Sequence, residues 1–385
     1  MRIESVEAFY LRLPEVRAIG DGSQDALLIR VRAGGLDGWG EAEASPLPTI
    51  AALVAPMSHS ACRPVLDSVL GQPLNGPEDI RRIHATVKAN SMDLLQADHA
   101  LSGIDIALWD LLGKRLEEPV WALLGEDNFP KRAYASQLFG ETPTETFSAA
   151  TRAAAAGFTA AKFGWGPIGL GALVEDEAQF SAAREGLGAD AALFIDTGCV
   201  FGHDVERARS RIASLEAVGA AWWEEPFVGG ALREYAALSS ATRIPLAGGE
   251  GAHNADHSMH LIDYGGVRFI QVDAGRIGGI TEARKVATYA RNRQVEYVNH
   301  TFTSNLALSA SLQPYADHVG AYAEVPFAAS ELAVAIGGAA WALDGNGCVI
   351  PPSDPGLGIT PSLKSLQNYI TPVELLWNGF RLWPT

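Results

Sequence analysis

Three short apolar runs in the middle of the chain each lead into a carboxylate: Leu193-Phe194-Ile195-Asp196, Ala221-Trp222-Trp223-Glu224 and Leu246-Ala247-Gly248-Gly249-Glu250. Each run is too short for a buried helix, and an amphipathic, helix-like segment separates it from the next. This alternation predicts strand, helix, strand, helix, strand. Because the carboxyl ends of parallel strands in a barrel converge on one face, we expect the three carboxylates in one pocket.

Such a group of carboxylates predicts a metal site. Carboxylates a few ångströms apart repel one another and raise each other's pKa unless a cation lies between them. Ligands that are all oxygen suit a hard divalent ion, and Mg²⁺ keeps positions open for substrate oxygens. A single acidic residue beside a glycine is more often a turn former, but three at successive strand ends weaken that interpretation. We therefore predict a metal site at Asp196, Glu224 and Glu250 that suits a hard divalent ion such as Mg²⁺.

Composition excludes several classes of protein. The 385 residues are 48% hydrophobic and 19% charged, which is ordinary for a globular protein with a large core. A net charge of −16 argues against a nucleic-acid or anionic-membrane partner. No apolar run approaches the roughly twenty residues of a membrane span, and the first residues alternate like a strand rather than a signal peptide. With only three widely spaced cysteines, we expect a cytoplasmic protein without disulfides.

The chain divides into three regions by pattern. Residues 1 to about 44 alternate like an antiparallel meander, and residues 50–125 are helical in pattern. Eight strand-like runs follow, separated by helical patterns: 133–139, 159–165, 192–197, 221–225, 244–249, 269–273, 295–300 and 320–324. Eight strand-helix units predict the α/β class and a (β/α) TIM-type barrel. We expect an α+β domain at 1–128, the barrel at 129–327, and a C-terminal segment at 328–385 that completes the barrel and packs on the first domain.

The loop from Glu15 to Gln24 is glycine-rich and is predicted to be mobile. It is compatible with a lid over a pocket and equally with a plain surface loop. Asp21 and Ser23 in this loop are candidate substrate contacts.

Polar residues at the carboxyl ends of barrel strands are the candidates for chemistry. Each predicted strand supplies one: Ser136, Lys162, Asp196, Glu224, Glu250, Asp273, His300 and Glu324. A hydrogen bond between Asp273 and His300 would fix the imidazole tautomer and raise its basicity, which favours His300 as a general base. Lys162 follows an apolar run and needs an anionic partner. Ser136 and Arg276 are candidate substrate contacts, although Arg276 is equally compatible with a salt bridge at the barrel rim.

An ordered set of these features resembles the enolase superfamily, in its mandelate racemase-like and sugar-acid dehydratase branch. The matching features span most of the chain: Ala107-Leu108-Trp109-Asp110 with Gly113-Lys114, Ala161-Lys162, Asp196, Glu224-Glu225-Pro226, Gly249-Glu250, Asp273 with Ile277-Gly278-Gly279, His300 and Glu324. Each motif is weak alone, and the ordered set is specific.

The resemblance implies a capping domain built from the two chain ends, a barrel, and one Mg²⁺ held by Asp196, Glu224 and Glu250. It implies removal of the proton α to a carboxylate and stabilisation of the enediolate by the metal. By position, His300 with Asp273 is the implied base, and Glu324 hydrogen-bonds the substrate carboxylate. Family members often form dimers to octamers, so a homo-oligomer is expected.

One departure from the family pattern bears on the reaction. Racemases of this branch carry Lys-x-Lys at the second strand, and their second lysine is a base on the face opposite the histidine. Here the run is Lys162-Phe163-Gly164, so that base is absent. Dehydration needs one residue that takes the α-proton and then protonates the departing β-hydroxyl. We therefore predict a hydro-lyase that converts an aldonic or aldaric acid into a 2-keto-3-deoxy acid, with Lys162 contacting the carboxylate side or acting as an alternative acid/base.

Three other functions remain open from the sequence. The first is a one-base cycloisomerase or epimerase of a sugar acid or its lactone. A remote one is an NAD-linked oxidoreductase, because residues 164–169 match a dinucleotide-binding pattern. Pro167 stands where the phosphate-binding helix should begin, which disfavours it. The last is a binding protein without activity, which the intact set of ligands and the His-Asp pair disfavour.

Overall fold

The structure is a computed structural model that describes residues 1–339 and 341–384. Its strands are β1 Ser5–Arg12, β2 Asp25–Ala33, β3 Leu36–Ala42, β4 Lys131–Leu138, β5 Ala160–Gly164, β6 Ala192–Asp196, β7 Ala220–Glu224, β8 Leu246–Gly248, β9 Phe269–Val272, β10 Glu296–Asn299, β11 Tyr322–Pro326, β12 Cys348–Val349, β13 Leu375–Trp377 and β14 Phe380–Trp383. Its α-helices are α1 Pro46–Val54, α2 Pro77–Asn90, α3 Ala97–Leu116, α4 Val120–Leu123, α5 Pro143–Ala155, α6 Leu173–Leu187, α7 Val205–Arg209, α8 Ile212–Ala217, α9 Leu232–Ser239, α10 Ala255–His260, α11 Gly279–Asn292, α12 Asn305–Leu312, α13 Glu331–Gly337 and α14 Leu363–Leu366. In the part of the chain so described, no helix combines the length and apolarity needed to cross a membrane.

The N-terminal sheet is the predicted antiparallel meander, in the order β1-β2-β3. A two-residue turn of Gly34 and Gly35, both with positive φ, joins β2 to β3 and suits the twist of a tight hairpin. Helix α3 packs closely across this sheet. A Cβ atom at Gly38 or Gly40 would lie 2.1 Å from a carbonyl oxygen of α3, so the contact requires glycine at both positions.

Two buried aspartates of α3 attach this helix to distant parts of the chain. Asp105 accepts hydrogen bonds from the backbone N–H and the hydroxyl of Thr281 in α11. Asp110 accepts from the backbone N–H groups of Trp39 and Leu357 and forms an ion pair with Lys114. These polar groups in the core are therefore satisfied, and they tie the N-terminal region to the barrel and to the C-terminal tail.

The second sheet is the predicted barrel, with eight parallel strands in the order β10-β9-β8-β7-β6-β5-β4-β11. The α/β fold class and all eight predicted strands are confirmed. The register pairs Gly164 with Asp196 and Asp196 with Glu224 on adjacent strands. Because the pairing is parallel and in register, the polar strand ends arrive at the same level of the barrel.

One seam of the barrel is closed by a side chain. Among the described residues, β10 and β11 are not joined by a backbone ladder. The amide of Asn299 spans this gap: its Nδ2 donates to the carbonyl oxygen of Glu324 at 3.1 Å, and its Oδ1 accepts from the Glu324 N–H at 3.0 Å. The Tyr315 hydroxyl donates to the same Oδ1 at 2.7 Å. Asn299 thus replaces a peptide group in the ladder beside the strand end of Glu324.

The C-terminal tail contacts both parts of the molecule. Strand β12 pairs antiparallel with β4 of the barrel. Further along, Arg12 N–H donates to the carbonyl oxygen of Tyr369, and Thr371 N–H donates to that of Tyr10, which extends the free edge of β1. The last strands, β13 and β14, form a separate hairpin.

The Asn299→Leu substitution tests the seam, because leucine has a similar volume and no hydrogen-bonding group. It removes the partner of the buried Glu324 peptide and leaves the Tyr315 hydroxyl only its longer bond to the carbonyl oxygen of Tyr322, at 3.2 Å, so we expect a loss of about 2–4 kcal/mol in the free energy of unfolding. Denaturant unfolding would measure it, with the exposed Asn292→Leu as the matched control. Equal stabilities of the two variants would contradict the role of Asn299.

Candidate active site

A cavity of about 290 Å³ lies at the carboxyl ends of the barrel strands. Its lining combines strand ends with the loop 13–24, which we call the capping loop. Lys162, Asp196, Glu250 and His300 line it from the barrel, and Asp21 lines it from the capping loop. The predicted lid loop therefore faces the predicted chemistry.

The three predicted metal ligands lie together. Asp196, Glu224 and Glu250 are buried, and one carboxylate oxygen of each lies within 4.8 Å of the others. Burial and the charge of Glu224 raise the pKa of Asp196 well above its ordinary value. Burial also raises the pKa of Glu224, to about 6. This buried group of oxygen ligands fits a hard divalent cation such as Mg²⁺, which would relieve the repulsion.

Lys162 connects these carboxylates to Glu324. Its Nζ lies 2.5 Å from Glu224 Oε1, 2.8 Å from Glu324 Oε1 and 3.8 Å from Asp196 Oδ2. Burial alone would lower its pKa, but the surrounding carboxylates outweigh burial and raise it well above the ordinary value. The ammonium form is therefore strongly favoured, and this arrangement supports an electrostatic role for Lys162 over that of a proton acceptor.

The predicted histidine and aspartate form a hydrogen-bonded pair. His300 Nδ1 lies 2.7 Å from Asp273 Oδ2, and the N–H of Gly275 donates to Asp273 Oδ1 at 2.7 Å. With Nδ1 engaged, His300 Nε2 points to the carboxylate cluster and lies 3.3 Å from Glu250 Oε2. Burial lowers the pKa of His300, but Glu250, Glu324 and Asp273 outweigh it and raise the pKa to about 10. These carboxylates therefore favour the imidazolium, and a cation among them would favour the neutral imidazole that a base requires.

Gly164, the position of the second lysine in the family pattern, lies directly against Asp196. A Cβ atom at Gly164 would lie 2.5 Å from Asp196 Oδ2 and 3.1 Å from Asp196 Cβ. A side chain there would therefore displace a predicted metal ligand in this arrangement. The cavity wall at this strand end carries backbone where a racemase would carry its second lysine.

The predicted substrate contacts differ in their surroundings. Ser136 and Arg276 line the cavity, and the buried Ser136 hydroxyl has no hydrogen-bond partner among the described residues. The guanidinium of Arg276 pairs with Glu43 at the end of the N-terminal sheet, so the interpretation as a rim salt bridge also has support. Ser23 is buried outside the cavity lining, where its hydroxyl donates to Asp21 Oδ1 at 2.6 Å. Its place in the structure is to hold the capping loop.

Sequence reasoning missed Trp222. Its indole N–H donates to Glu224 Oε2 at 3.0 Å, and the whole side chain is buried. The sequence could have predicted this contact, because residues two apart on a strand face the same side and Trp222 precedes Glu224 by two. Glu225, which follows Glu224, is a further buried carboxyl group, and its Oε2 accepts from the Cys199 thiol at 3.4 Å. Burial and the charges of Glu250 and Glu224 raise its pKa to about 8.

Comparison with known families agrees with this geometry. Residues 6–125 match the family described as the mandelate racemase / muconate lactonizing enzyme N-terminal domain. Residues 146–365, more than half of the chain, match the enolase C-terminal domain-like family. The chain belongs to the enolase superfamily. The resemblance inferred from the sequence is thereby confirmed.

Individual superfamily members resemble the chain to different extents. A crystal structure described as a predicted mandelate racemase from Rhodobacter sphaeroides is 54% identical and has a TM-score of 0.93, over 99% of this chain and 98% of that one. The D-galactarolactone cycloisomerase of Agrobacterium fabrum is 35% identical, and the D-galactonate dehydratase of Cronobacter sakazakii is 31% identical. These two matches cover 56% and 55% of this chain and 56% of each relative, so the chain matches little more than half the length of either. Superfamily relatives of this chain thus include both lyases and isomerases that act on acid sugars.

Neighbouring tryptophans allow a controlled test of the contact to Glu224. Trp222→Phe removes the indole N–H that holds Glu224, so we expect Mg²⁺ to bind about 10-fold or more weakly, in line with other outer-shell partners. Trp223→Phe is the matched control, because Trp223 is equally buried and its N–H donates instead to Thr197 Oγ1 at 3.0 Å. Titration calorimetry with Mg²⁺ would compare the two. Equal affinities would show that Trp222 has no influence on the ligand.

Proposed function

We propose that this protein catalyses the Mg²⁺-dependent dehydration of an aldonic or aldaric acid to a 2-keto-3-deoxy acid. The observation that carries the proposal is the one-sided site: an oriented His300 faces the carboxylate cluster, and Gly164 leaves the position of a second base without a side chain. The chemistry of the relatives, which include acid-sugar dehydratases, is consistent with it.

The substrate carboxylate would enter the cavity on the side of Lys162 and the metal ligands, since these groups supply the positive charge. Mg²⁺ held by Asp196, Glu224 and Glu250 would stabilise the negative charge that develops on that carboxylate when the α-proton leaves. Lys162 adds a fixed positive charge, and Glu324 holds Lys162 in position at 2.8 Å. The backbone N–H of Thr301 fixes the other oxygen of Glu324 at 2.7 Å.

The proton transfers need only His300. Its Nε2 takes the α-proton, and the carbon–hydrogen electron pair becomes the double bond between the α-carbon and the carboxylate carbon of an enediolate. The imidazolium then gives its proton to the β-hydroxyl. As the carboxylate reforms, that electron pair becomes the α,β double bond of the enol, the bond between the β-carbon and oxygen breaks, and water leaves. Tautomerisation of the enol gives the 2-keto group. Asp273 keeps Nδ1 engaged through both transfers and stabilises the imidazolium between them.

A one-base cycloisomerase or epimerase is the second candidate. The Agrobacterium fabrum relative is named a D-galactarolactone cycloisomerase and has the higher identity of the two relatives described above. Abstraction of the α-proton by His300 is common to both reactions. They differ in the next step: a dehydratase expels the β-hydroxyl, a cycloisomerase expels a ring oxygen from the β-carbon, and an epimerase returns a proton to the α-carbon.

Replacing the base tests the reaction. His300→Asn keeps a polar side chain near Asp273 but cannot accept the α-proton, so we expect turnover to fall by about 10²- to 10⁴-fold. The assay is a panel of acid sugars with Mg²⁺, read by 2-keto acid formation and by proton NMR in D₂O. A variant that retains near-normal rates would contradict the role of His300. Deuterium at the α-carbon without a keto acid would move the assignment to the isomerase.

Metal removal tests the ligands. Mg²⁺ added to chelator-treated protein at about 100 times its Kd should stabilise the fold by about 2.7 kcal/mol, since it binds only the folded state. Glu224→Gln should lose most of this gain, because it removes one anionic ligand. The exposed Glu216→Gln should keep it. Thermal unfolding with and without Mg²⁺ measures the difference, and an unchanged gain in Glu224→Gln would refute the ligand assignment.

A further inference from the structure

A second, larger concavity opens beside the catalytic cavity. We call it the side groove; it has a volume of about 1210 Å³ and lies between the capping loop, the loops that follow β4 and β5, and the start of α6. It shares Ile19, Gly20, Leu138 and Trp165 with the catalytic cavity. The two volumes are therefore neighbours along a common wall.

Trp165 forms the fixed part of that wall. Its ring packs against two glycines, since a Cβ at Gly20 would lie 2.9 Å from the ring and one at Gly198 would lie 2.8 Å from it. Trp165 itself has a φ of 56°, which is unusual for a residue with a side chain. The capping loop and the loop after β6 therefore meet on this indole. The boundary between cavity and groove is thus a built feature of the fold.

The surface of the groove is apolar with acidic groups. Leu170 is 71% exposed and Val174 is 67% exposed, which is high for aliphatic side chains in adjacent positions on one wall. Glu141 and Glu175 add exposed carboxylates that can accept hydrogen bonds from hydroxyl groups. Among the described residues, the groove lining contains no lysine, arginine or histidine.

This distribution of charge determines which end of a ligand lies where. The cationic groups Lys162, Arg276 and His300 all line the catalytic cavity, so a carboxylate belongs there. A second anionic group would meet Glu141 and Glu175 in the groove with no cationic side chain to offset them, and would be repelled. A purely apolar occupant would use Leu170 and Val174 but not the Glu141 carboxylate, while Glu175 Oε2 already accepts the Ala172 N–H at the start of α6. A neutral sugar ring fits the apolar side chains and the carboxylate acceptors together, because it offers apolar C–H faces and hydroxyl donors.

We propose that the side groove binds a neutral sugar ring attached to the acid that occupies the catalytic cavity, so that the substrate class includes glycosylated aldonic acids. This inference rests on the proposed function, since the acid end is the part on which His300 would act. It extends that function by assigning a second subsite to Leu170, Val174 and the capping-loop side of Trp165.

The test compares the binding of acids that share the same aldonic acid end and differ in whether they carry a neutral sugar ring. Gluconate is measured against maltobionate, lactobionate and melibionate, which are gluconate carrying a neutral hexose. Binding is followed by titration calorimetry with Mg²⁺ and the His300→Asn variant, so that no turnover occurs. We expect at least one glycosylated acid to bind about 10-fold more tightly than gluconate, which corresponds to about 1.4 kcal/mol. Equal or weaker binding of all three would overturn the proposal.

A second experiment introduces a negative charge into the side groove. Leu170→Glu, introduced into the same background, should reduce the preference for the glycosylated acid to about 2-fold or less, since it adds a carboxylate where the ring would lie. Val319→Glu is the matched control, because Val319 is an exposed aliphatic residue outside both the cavity and the groove. An unchanged preference in Leu170→Glu would overturn the assignment of the groove.

Two further outcomes separate this inference from its alternatives. If sedimentation shows that Leu170→Glu dissociates an oligomer of the wild-type chain, the groove is a contact between copies and the proposal is overturned. If aldonic acids are dehydrated while no glycosylated acid binds more tightly, the groove proposal fails and the proposed function stands. If no acid sugar reacts but a glycosylated acid still binds more tightly, the reaction is wrong and the subsite stands.

Discussion

Mutual repulsion of buried carboxylates is the constraint on which the rest of this structure depends. Asp196, Glu224, Glu250 and Glu324 are almost fully removed from water within one barrel mouth. Ionised groups in such a position need compensation, and the protein supplies Lys162 on one side and His300 on the other. Burial first, and then the neighbouring carboxylates, raise the pKa of Asp196 and of Glu224, whereas His300 and Lys162 outweigh burial at Glu250 and hold its pKa below the ordinary value. This partial compensation is what makes this site suited to a divalent cation.

The same constraint explains features of the scaffold that lie farther away. Carboxylates in repulsion stay in place only if their second oxygens are held, and Trp222, Thr301 and Lys162 supply these contacts. Asn299 holds the seam beside Glu324 through hydrogen bonds that a backbone ladder would otherwise make. The N-terminal domain adds Glu43, which occupies the guanidinium of Arg276 while Arg276 donates to the carbonyl oxygen of Glu250. The carboxylate cluster is thus braced from the barrel and from the N-terminal region.

The sequence was sufficient for the fold because its signal is periodic. Eight apolar runs at regular spacing predict a barrel, and a polar residue at each run's end predicts which side chains meet. Groups whose role depends on one contact could not be predicted in the same way. In the sequence, Asn299 looks like any polar residue at the end of a strand. Its role becomes visible only in the structure, where its side chain bonds Glu324 across the seam between β10 and β11. Ser23 was predicted to contact substrate because it lies in the glycine-rich loop. A local turn instead directs its hydroxyl and its N–H to Asp21 Oδ1.

The close contact between Gly164 and Asp196 bears on which reactions this site could support. At Gly164 the sequence shows only the loss of a lysine, which leaves several one-base reactions open. The structure adds that the space next to Gly164 is occupied by Asp196, so the cluster itself takes the volume that a side chain would need. Asp273 engages Nδ1 of His300, which leaves Nε2 facing the carboxylate cluster. In the function proposed above, this imidazole carries both proton transfers. A site of this kind favours reactions in which the proton removed and the group that departs lie on the same side of the substrate, because one imidazole must reach both.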